Sequence, residues 1–530
     1  MKNKKLSGSF YTPKVIADFM VEYLSEKMEG RESVSILEPS AGDGIFVRTV
    51  LENPSFKKAI RKVVAVEQSK RELNKVINCV EDKRFVPIYG DFLDYQDHAK
   101  SKFSLVIGNP PYVRSGLLEK RQIKLCSEIH SCAGLSSNKP KNIWTAFLVR
   151  CVEFTDNEGI LAFVLPAEFL QVKFAAELRE FIVKSFERVE IFTFSELLFE
   201  DCKGQDTVLL IAERQSTNKG VYYCNIDKIH ELDQRNFTLT QNIKILESKW
   251  NHHHLDSEAL ELLEKLNKQL HRVDHYCASK AGIVTAANDF FIVNKELIDE
   301  YSLSDYVQPI IQRGVYVNGS VEVDNNEFQK IVNSKPAYLL ALNRDSVIRT
   351  NARLWNYLEQ GKERNLHKRF KTKLRENWYE VPNVGIAPEA FFFKRCDEYP
   401  KLLKNTAAVL ATDSAYIINM REAYEIEKLI YSFYNSLTLC FAEMRGRSYG
   451  GGVLELTPNE FKSLPVPYYR NRVDFPTYVT GFKNKSSIKE VCDMNDLILL
   501  KAVDPQLDND SIVKLGLIRE KLYLRRIKNG

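Results

Sequence analysis

The sequence contains no Cys-x-x-Cys pair. Its ten cysteines are scattered along 530 residues, so neither a zinc site nor a disulfide framework is signalled, and they read as reduced thiols of a cytoplasmic protein. No stretch approaches eighteen apolar residues in a row, and Met1 to Thr12 is basic and polar without an apolar core, so no membrane span or secretory signal is expected. Glycine and proline are sparse, 23 and 18 respectively; with 44% hydrophobic and 27% charged residues, this excludes fibrous and disordered classes. An excess of one charge is missing too. A formal +5 permits a polyanionic partner without requiring one. At roughly 150 residues per domain, the length predicts two or more packed cores.

What is present is an alternation of short apolar runs with helix-period stretches from Val34 to about Glu213. Strands are expected at Val34–Leu37, Lys62–Val66, Phe85–Tyr89, Phe103–Ile107, Ile160–Leu165, Val189–Phe194 and Thr207–Ala212. Helices are expected at Asp18–Glu29, Ile45–Leu51, Ser69–Val80, Ile143–Phe154 and Glu168–Ser185. The link Ser195–Asp206 is too short for a full crossover, so the last two strands should be antiparallel. The fold class is therefore α/β, a doubly wound, mostly parallel seven-stranded sheet ending in a reversed strand. A boundary is expected between 215 and 255, after which a mixed α/β region rich in aromatic and basic residues runs to Gly530.

The first strand leads into Glu38-Pro39-Ser40-Ala41-Gly42-Asp43-Gly44, a glycine turn where a ligand can approach the backbone. Val47 breaks the dinucleotide pattern, and no Lys-Ser/Thr pair completes a phosphate loop. The second strand ends at Glu67, with Gln68 beside it, about 20 residues beyond the glycines, where a carboxylate can accept ribose hydroxyls. The third ends at Asp91-Phe92, an acceptor and an aromatic at the same sheet edge. Three such signals in register imply a nucleoside-containing ligand. The fourth strand ends in Asn109-Pro110-Pro111-Tyr112. Two consecutive prolines stiffen the backbone there, so that the Asn109 amide oxygen and the Pro110 carbonyl can accept both hydrogens of an amine while Tyr112 offers a ring for stacking.

With this Asn-Pro-Pro-Tyr run the sequence resembles the gamma class of S-adenosylmethionine-dependent DNA adenine-N6 methyltransferases of restriction-modification type. The resemblance extends to Gly8-Ser9-Phe10-Tyr11-Thr12-Pro13, Asn142-Ile143-Trp144-Thr145-Ala146-Phe147 and Phe163-Val164-Leu165-Pro166. It implies a class I methyltransferase domain over residues 1–245 and a DNA target-recognition domain over 246–530. Tyr11, Thr12 and Pro13 would flank the methionine part of the cofactor, and Glu38, Pro39, Ser40, Ala41, Gly42 and Gly44 would form its turn. Glu67 and Gln68 would hold the ribose, Asp91 and Phe92 the cofactor adenine. Asn109, Pro110, Pro111 and Tyr112 would hold a target adenine flipped from double-stranded DNA, with Phe199 as a second aromatic wall. No metal is implied; His252-His253-His254 reads as solvated surface.

Gly282 to Phe291 resembles the opening of the family's recognition region, and the stretch from Arg445-Gly446-Arg447 to Pro467 its close. Between them lies a dense basic run suited to phosphate contacts. Lys368, Arg369, Lys371, Lys373, Arg445 and Arg447 are the candidate DNA-binding residues. The alternatives are an RNA or protein-glutamine methyltransferase and a catalytically silent DNA-specificity protein. A separate cognate restriction endonuclease is the partner that a restriction-modification enzyme implies; a solitary methylase has none.

Overall fold

Along the first-half strands, successive side chains enter two different cores. Ile36, Val63, Ala65, Leu105, Ile107, Ala162 and Val164 face one, while Leu37, Val64, Val66, Val106, Leu161 and Phe163 face the other. Because the side-chain period of a strand is two, strands apolar on both faces need cover on both, the arrangement of a parallel sheet wrapped by helices. A computed structural model of the chain describes residues 11–96, 102–135, 141–194, 207–242, 250, 255–342, 351–449 and 451–528. It divides into two compact units, residues 1–260 and 261–528.

The first unit carries β1 (Val34–Glu38), β2 (Ile60–Glu67), β3 (Phe85–Tyr89), β4 (Phe103–Gly108), β5 (Thr155–Pro166), β6 (Arg188–Phe194), β7 (Thr207–Glu213), β8 (Gly220–Ile226) and β9 (Thr240–Asn242), in the order β3-β2-β1-β4-β5-β7-β6-β8-β9. The strands β3 to β5 are mutually parallel, and β7 is antiparallel to both β5 and β6. Two expectations are thereby corrected. The sheet has nine strands rather than seven, and the reversed strand does not end it: β7 is inserted between β5 and β6, leaving the outer edge of β6 to pair with β8. In β8, which lies between β6 and β9, Val221 and Tyr223 enter one core and Cys224 and Ile226 the other, while Tyr222 is partly exposed and Asn225 exposed, a more broken apolar pattern than the runs before it.

Helices α1 (Lys14–Lys27), α2 (Ile45–Glu52) and α3 (Lys70–Cys79) contribute to one core; α4 (Lys120–Cys132), α5 (Trp144–Phe154) and α6 (Ala176–Ser185) contribute to the other. Helix α4 was not expected, because only Cys126, Ile129 and His130 of its thirteen residues are buried and so narrow a stripe gives little periodic signal. The single helix expected over Glu168–Ser185 is broken. Its chain is extended at Val172, and the buried guanidinium of Arg179 donates to the carbonyls of Phe169 and Val172 at 2.5 and 3.4 Å, replacing the helical bonds lost there.

The second unit is mixed α/β, with sheets of five, four and three strands among the described residues; its helices include α7 (Ser436–Arg445), α8 (Ile488–Val503) and α9 (Asn509–Lys528). Asn435 caps α7 through Thr438 N, and Asp496 of α8 accepts from Ser436 N at 2.8 Å. Burial pushes the Asp496 carboxyl up to about 6. Arg526 of α9 is buried against Glu443 of α7 at 2.8 Å and also donates to the Asp397 carbonyl.

A buried charge network braces α1 against the sheet. Glu190, fully buried on β6, accepts from Lys27 at 2.8 Å, Arg188 at 2.6 Å and the Tyr23 hydroxyl at 2.9 Å. Glu190→Ala leaves two cations without their shared carboxylate, and should cost about 3 kcal/mol, the low end of that range because Glu213 still reaches Lys27 at 2.7 Å. Urea unfolding of the full chain measures this; an unchanged midpoint would show the network to be inert.

Candidate functional site

At the carboxyl ends of β1 to β4, where ligands of open α/β sheets bind, four loops meet around an open cleft. The first loop needs its glycines. Gly42 and Gly44 have φ of +54° and +76°, left-handed values that only glycine adopts freely, and a Cβ on Gly44 would lie 2.6 Å from a Val76 methyl. The loop is tied down by Ala41 N to Val66 O at 3.0 Å and Gly44 N to Ala41 O at 2.7 Å.

Glu67 then binds two loops together. One carboxylate oxygen accepts from Gly42 N at 2.9 Å and the other from Ser69 N at 2.7 Å. Burial raises the Glu67 carboxyl above its ordinary range, while those N–H groups pull the other way. Glu38, 2% exposed, is raised well above that range, first by burial and then by its neighbours Asp43 and Glu67, and its Oε2 has no hydrogen-bond partner. Asp91 accepts from Leu93 N at 3.0 Å and from the Gln122 side chain at 3.3 Å. Phe92 packs against Phe147 with ring centres 5.2 Å apart.

The fourth loop is joined to the first through its backbone. The Ser40 hydroxyl donates to the Asn109 carbonyl at 3.0 Å, and Asn109 Nδ2 donates to Thr12 Oγ1 at 3.2 Å. The Tyr11 ring lies over Gly42, its hydroxyl raised by burial and then by Glu72.

The structure thus brings Tyr11, Thr12, Glu38, Pro39, Ser40, Ala41, Gly42, Glu67, Gln68, Asp91, Phe92, Asn109 and Pro111 to one cleft. Pro13, Gly44, Pro110 and Tyr112 do not line it. Pro13 instead precedes α1, Gly44 caps α2, and Tyr112 is 9% exposed with its hydroxyl on Val164 O at 3.0 Å. Phe199 and His252 to His254 lie outside the described residues. Sequence reasoning assigned no role to Asp43, Ile45, Phe46, Gly90 or Phe147, which also line the cleft. Phe147 stands in the Asn142–Phe147 run, where its three-residue spacing from Trp144 was the available signal.

In the second unit Lys368, Arg369, Lys371 and Lys373 are exposed. Arg445 requires a correction. Arg445 is 7% exposed, donates to the Ser463 carbonyl and lies over the Phe441 ring at 4.6 Å; a guanidinium enclosed this way is structural. Arg447 is half-buried and bonded to Glu460 at 3.2 Å, the residue that also accepts from Thr457 N at the start of the helix Pro458–Lys462.

Two family models match successive parts of the chain: the Eco57I restriction-modification methylase over residues 44–199, and the C-terminal domain of the type II methyltransferase M.Eco57I over 247–500. Over both stretches the chain is similar to type II restriction-modification methyltransferases. The type II methyltransferase M.AccI of Acinetobacter calcoaceticus is 24% identical over 87% of this chain and 85% of its own length. M.BstVI of Geobacillus stearothermophilus is 21% identical over 78% and 80%. Among solved structures, the type IIL restriction-modification enzyme MmeI in complex with DNA aligns with 96% of this chain and 75% of its own at a TM-score of 0.58 and 11% identity, a likeness of fold. S-adenosylmethionine is the cofactor that goes with the methylase family.

The raised Glu38 carboxyl has a measurable consequence. A carboxyl raised in the folded state costs stability as pH climbs from the unfolded range near 4.3 through the folded value. Glu38→Gln, which cannot ionise, should therefore melt close to the wild type at pH 4 and progressively above it toward pH 8. Thermal melts across that range check this; a difference independent of pH would contradict the buried acid.

Proposed function

We propose that the chain transfers a methyl group from S-adenosylmethionine to the N6 amino group of an adenine in double-stranded DNA, as a site-specific restriction-modification methylase. The observation that carries this reading is the placing of Asn109 at the end of β4, its amide turned by Thr12 and its backbone held by Ser40, in the cleft that also holds Glu67, Asp91 and Phe92.

The cleft lining fits the cofactor in its donor set. Glu38, Asp43, Glu67 and Asp91 line it, with no lysine or arginine among the described residues. Such a cleft repels a pyrophosphate and favours a ligand that carries positive charge and offers hydroxyl and amine donors. S-adenosylmethionine supplies a methyl group on a positively charged sulfur, already activated for transfer. Glu67 would accept from the ribose hydroxyls, its carboxylate held in place by Gly42 and Ser69. Asp91, capped at Leu93, would face the cofactor adenine, with Phe92 as its wall. Glu38 Oε2 would accept from the amino group of the methionine part, with Tyr11 and Thr12 alongside.

Asn109 Oδ1 and the Pro110 carbonyl would accept the two hydrogens of the target amine. Accepting them favours the positive charge that develops on nitrogen as it attacks, so that catalysis rests on positioning and on acceptors. An amine inside a base pair cannot reach these groups, so the target base must leave the stack. Residues 1–245 would carry this chemistry and 246–530 target recognition, with Lys368, Arg369, Lys371 and Lys373 on phosphates and a separate endonuclease as the functional counterpart.

Asn109→Ala should lower methyl transfer by about a hundredfold or more, while S-adenosylmethionine affinity measured by calorimetry changes little. Glu67→Ala should instead weaken cofactor binding by roughly 1–3 kcal/mol. The reading is tested by incubating the chain with unmethylated plasmid DNA and separating the nucleosides by mass spectrometry. N6-methyladenine supports it; N4-methylcytosine, or methylation only of RNA or protein offered in parallel, overturns it.

A further inference from the structure

Residues 364–375 carry six lysines and arginines and no acid, and two of the large apolar side chains most exposed in the second unit stand among them. Phe370 is 73% exposed and Leu374 69%. A mobile tail could display apolar groups by default, but this segment is anchored. Leu366 is buried in the core beneath it, and the buried Thr372 hydroxyl donates to the carbonyls of Leu366 and Arg369. Arg375 donates to Thr285 O at 2.8 Å and Val284 O at 3.3 Å, and Arg369 to Ala286 O at 3.0 Å. Lys373 N closes a turn on Arg369 O at 3.0 Å. Buried anchors at 366, 372 and 375 therefore alternate with outward apolar groups at 370 and 374. Leu374 borders an open cleft whose lining includes Val381 to Val384, and Ile386, 97% exposed, follows on that side.

Holding two large apolar groups in water on a rigid turn is unfavourable, and an apolar tip ringed by four exposed cations complements no ordinary protein surface. It does complement a duplex, whose phosphates take the cations while the stacked bases beneath take an apolar side chain. We propose that Phe370, seconded by Leu374, is a wedge that enters the DNA base stack while Lys368, Arg369, Lys371 and Lys373 hold the flanking backbones. The proposal rests on the DNA reading above and adds a positioning element to it. A wedge that opens a base step lowers the work of extracting the target adenine, since unstacking a neighbour is part of that work.

Insertion between bases unwinds the duplex, so no knowledge of the target sequence is needed for the test. The full chain is bound at low salt to closed-circular plasmid, the plasmid is relaxed with a topoisomerase, and the topoisomer distribution is read after protein removal. The wild type should shift the distribution. Phe370→Ala with Leu374→Ala should bind with an unchanged slope of affinity against salt, because the phosphate contacts remain, yet give no shift and roughly tenfold less methyl incorporation. Phe370→Trp should restore both. Neutralising the four cations should instead flatten the salt slope. Because both apolar groups are exposed, their truncation leaves the fold intact, which a melting curve verifies. A double variant that shifts topoisomers like the wild type, or a wild type that binds and methylates DNA without a shift, overturns the wedge and leaves the DNA reading standing. A wild type that neither binds nor methylates DNA overturns both.

Discussion

The hydrogen bonds that Glu67 accepts from Gly42 and Ser69 hold the site in its shape. A loop with two left-handed residues in three positions has little regular structure of its own, and the entropy of fixing it must be offset by something rigid. The end of β2 is rigid, because its apolar residues are locked between two cores. One carboxylate reaching from that strand to the N–H of Gly42 turns a flexible loop into a wall. The second link, Ser40 to the Asn109 carbonyl, passes the same order to the loop after β4. The polar residues of the cleft are fixed in a chain whose far end is the buried sheet.

That dependence explains why the site was largely legible in the sequence. Each wall residue follows the last apolar residue of a strand: Glu38 after Leu37, Glu67 after Val66, Asp91 two residues after Tyr89, Asn109 two after Ile107. A strand buried on both faces, as β1, β2 and β4 largely are, is the strongest signal in the chain and carries the position of its terminal residue with it; β3 is a more exposed edge strand, legible instead by its β-branched and aromatic residues. Asp43, Phe46 and Phe147 were not singled out because they reach the cleft from helices or a turn, where the spacing of apolar residues is equally that of an ordinary core face. Glu38 was read only as part of the turn; its burial and its unpartnered oxygen follow from the depth of β1 in the sheet, which no local pattern contains.

The reading of Arg445 fails for the opposite reason. Arg445-Gly446-Arg447 beside a glycine run reads as an exposed loop, but residues 436–445 form a helix buried on nearly every side, and the guanidinium of Arg445 satisfies the Ser463 carbonyl at the end of the helix Pro458–Lys462. Charge in a sequence says nothing of burial until the element that carries it is known. The run from 364 to 375 shows the same ambiguity resolved both ways within twelve residues: Arg375 is drawn inward to three backbone carbonyls while Lys371 and Lys373 remain outside.

The formal +5 of the whole chain conceals a separation of charge. Among the described residues the cleft of the first unit is lined by four acids without a lysine or arginine, whereas the segment 364–375 has six cations without an acid. The sum over the chain describes neither region. An acidic cleft suits a small cationic cofactor and disfavours a nucleic acid phosphate that strays into it; a basic, apolar-tipped turn does the reverse. A near-neutral sum can therefore cover two local fields of opposite sign, and net charge alone does not distinguish such a chain from one whose charges are evenly mixed.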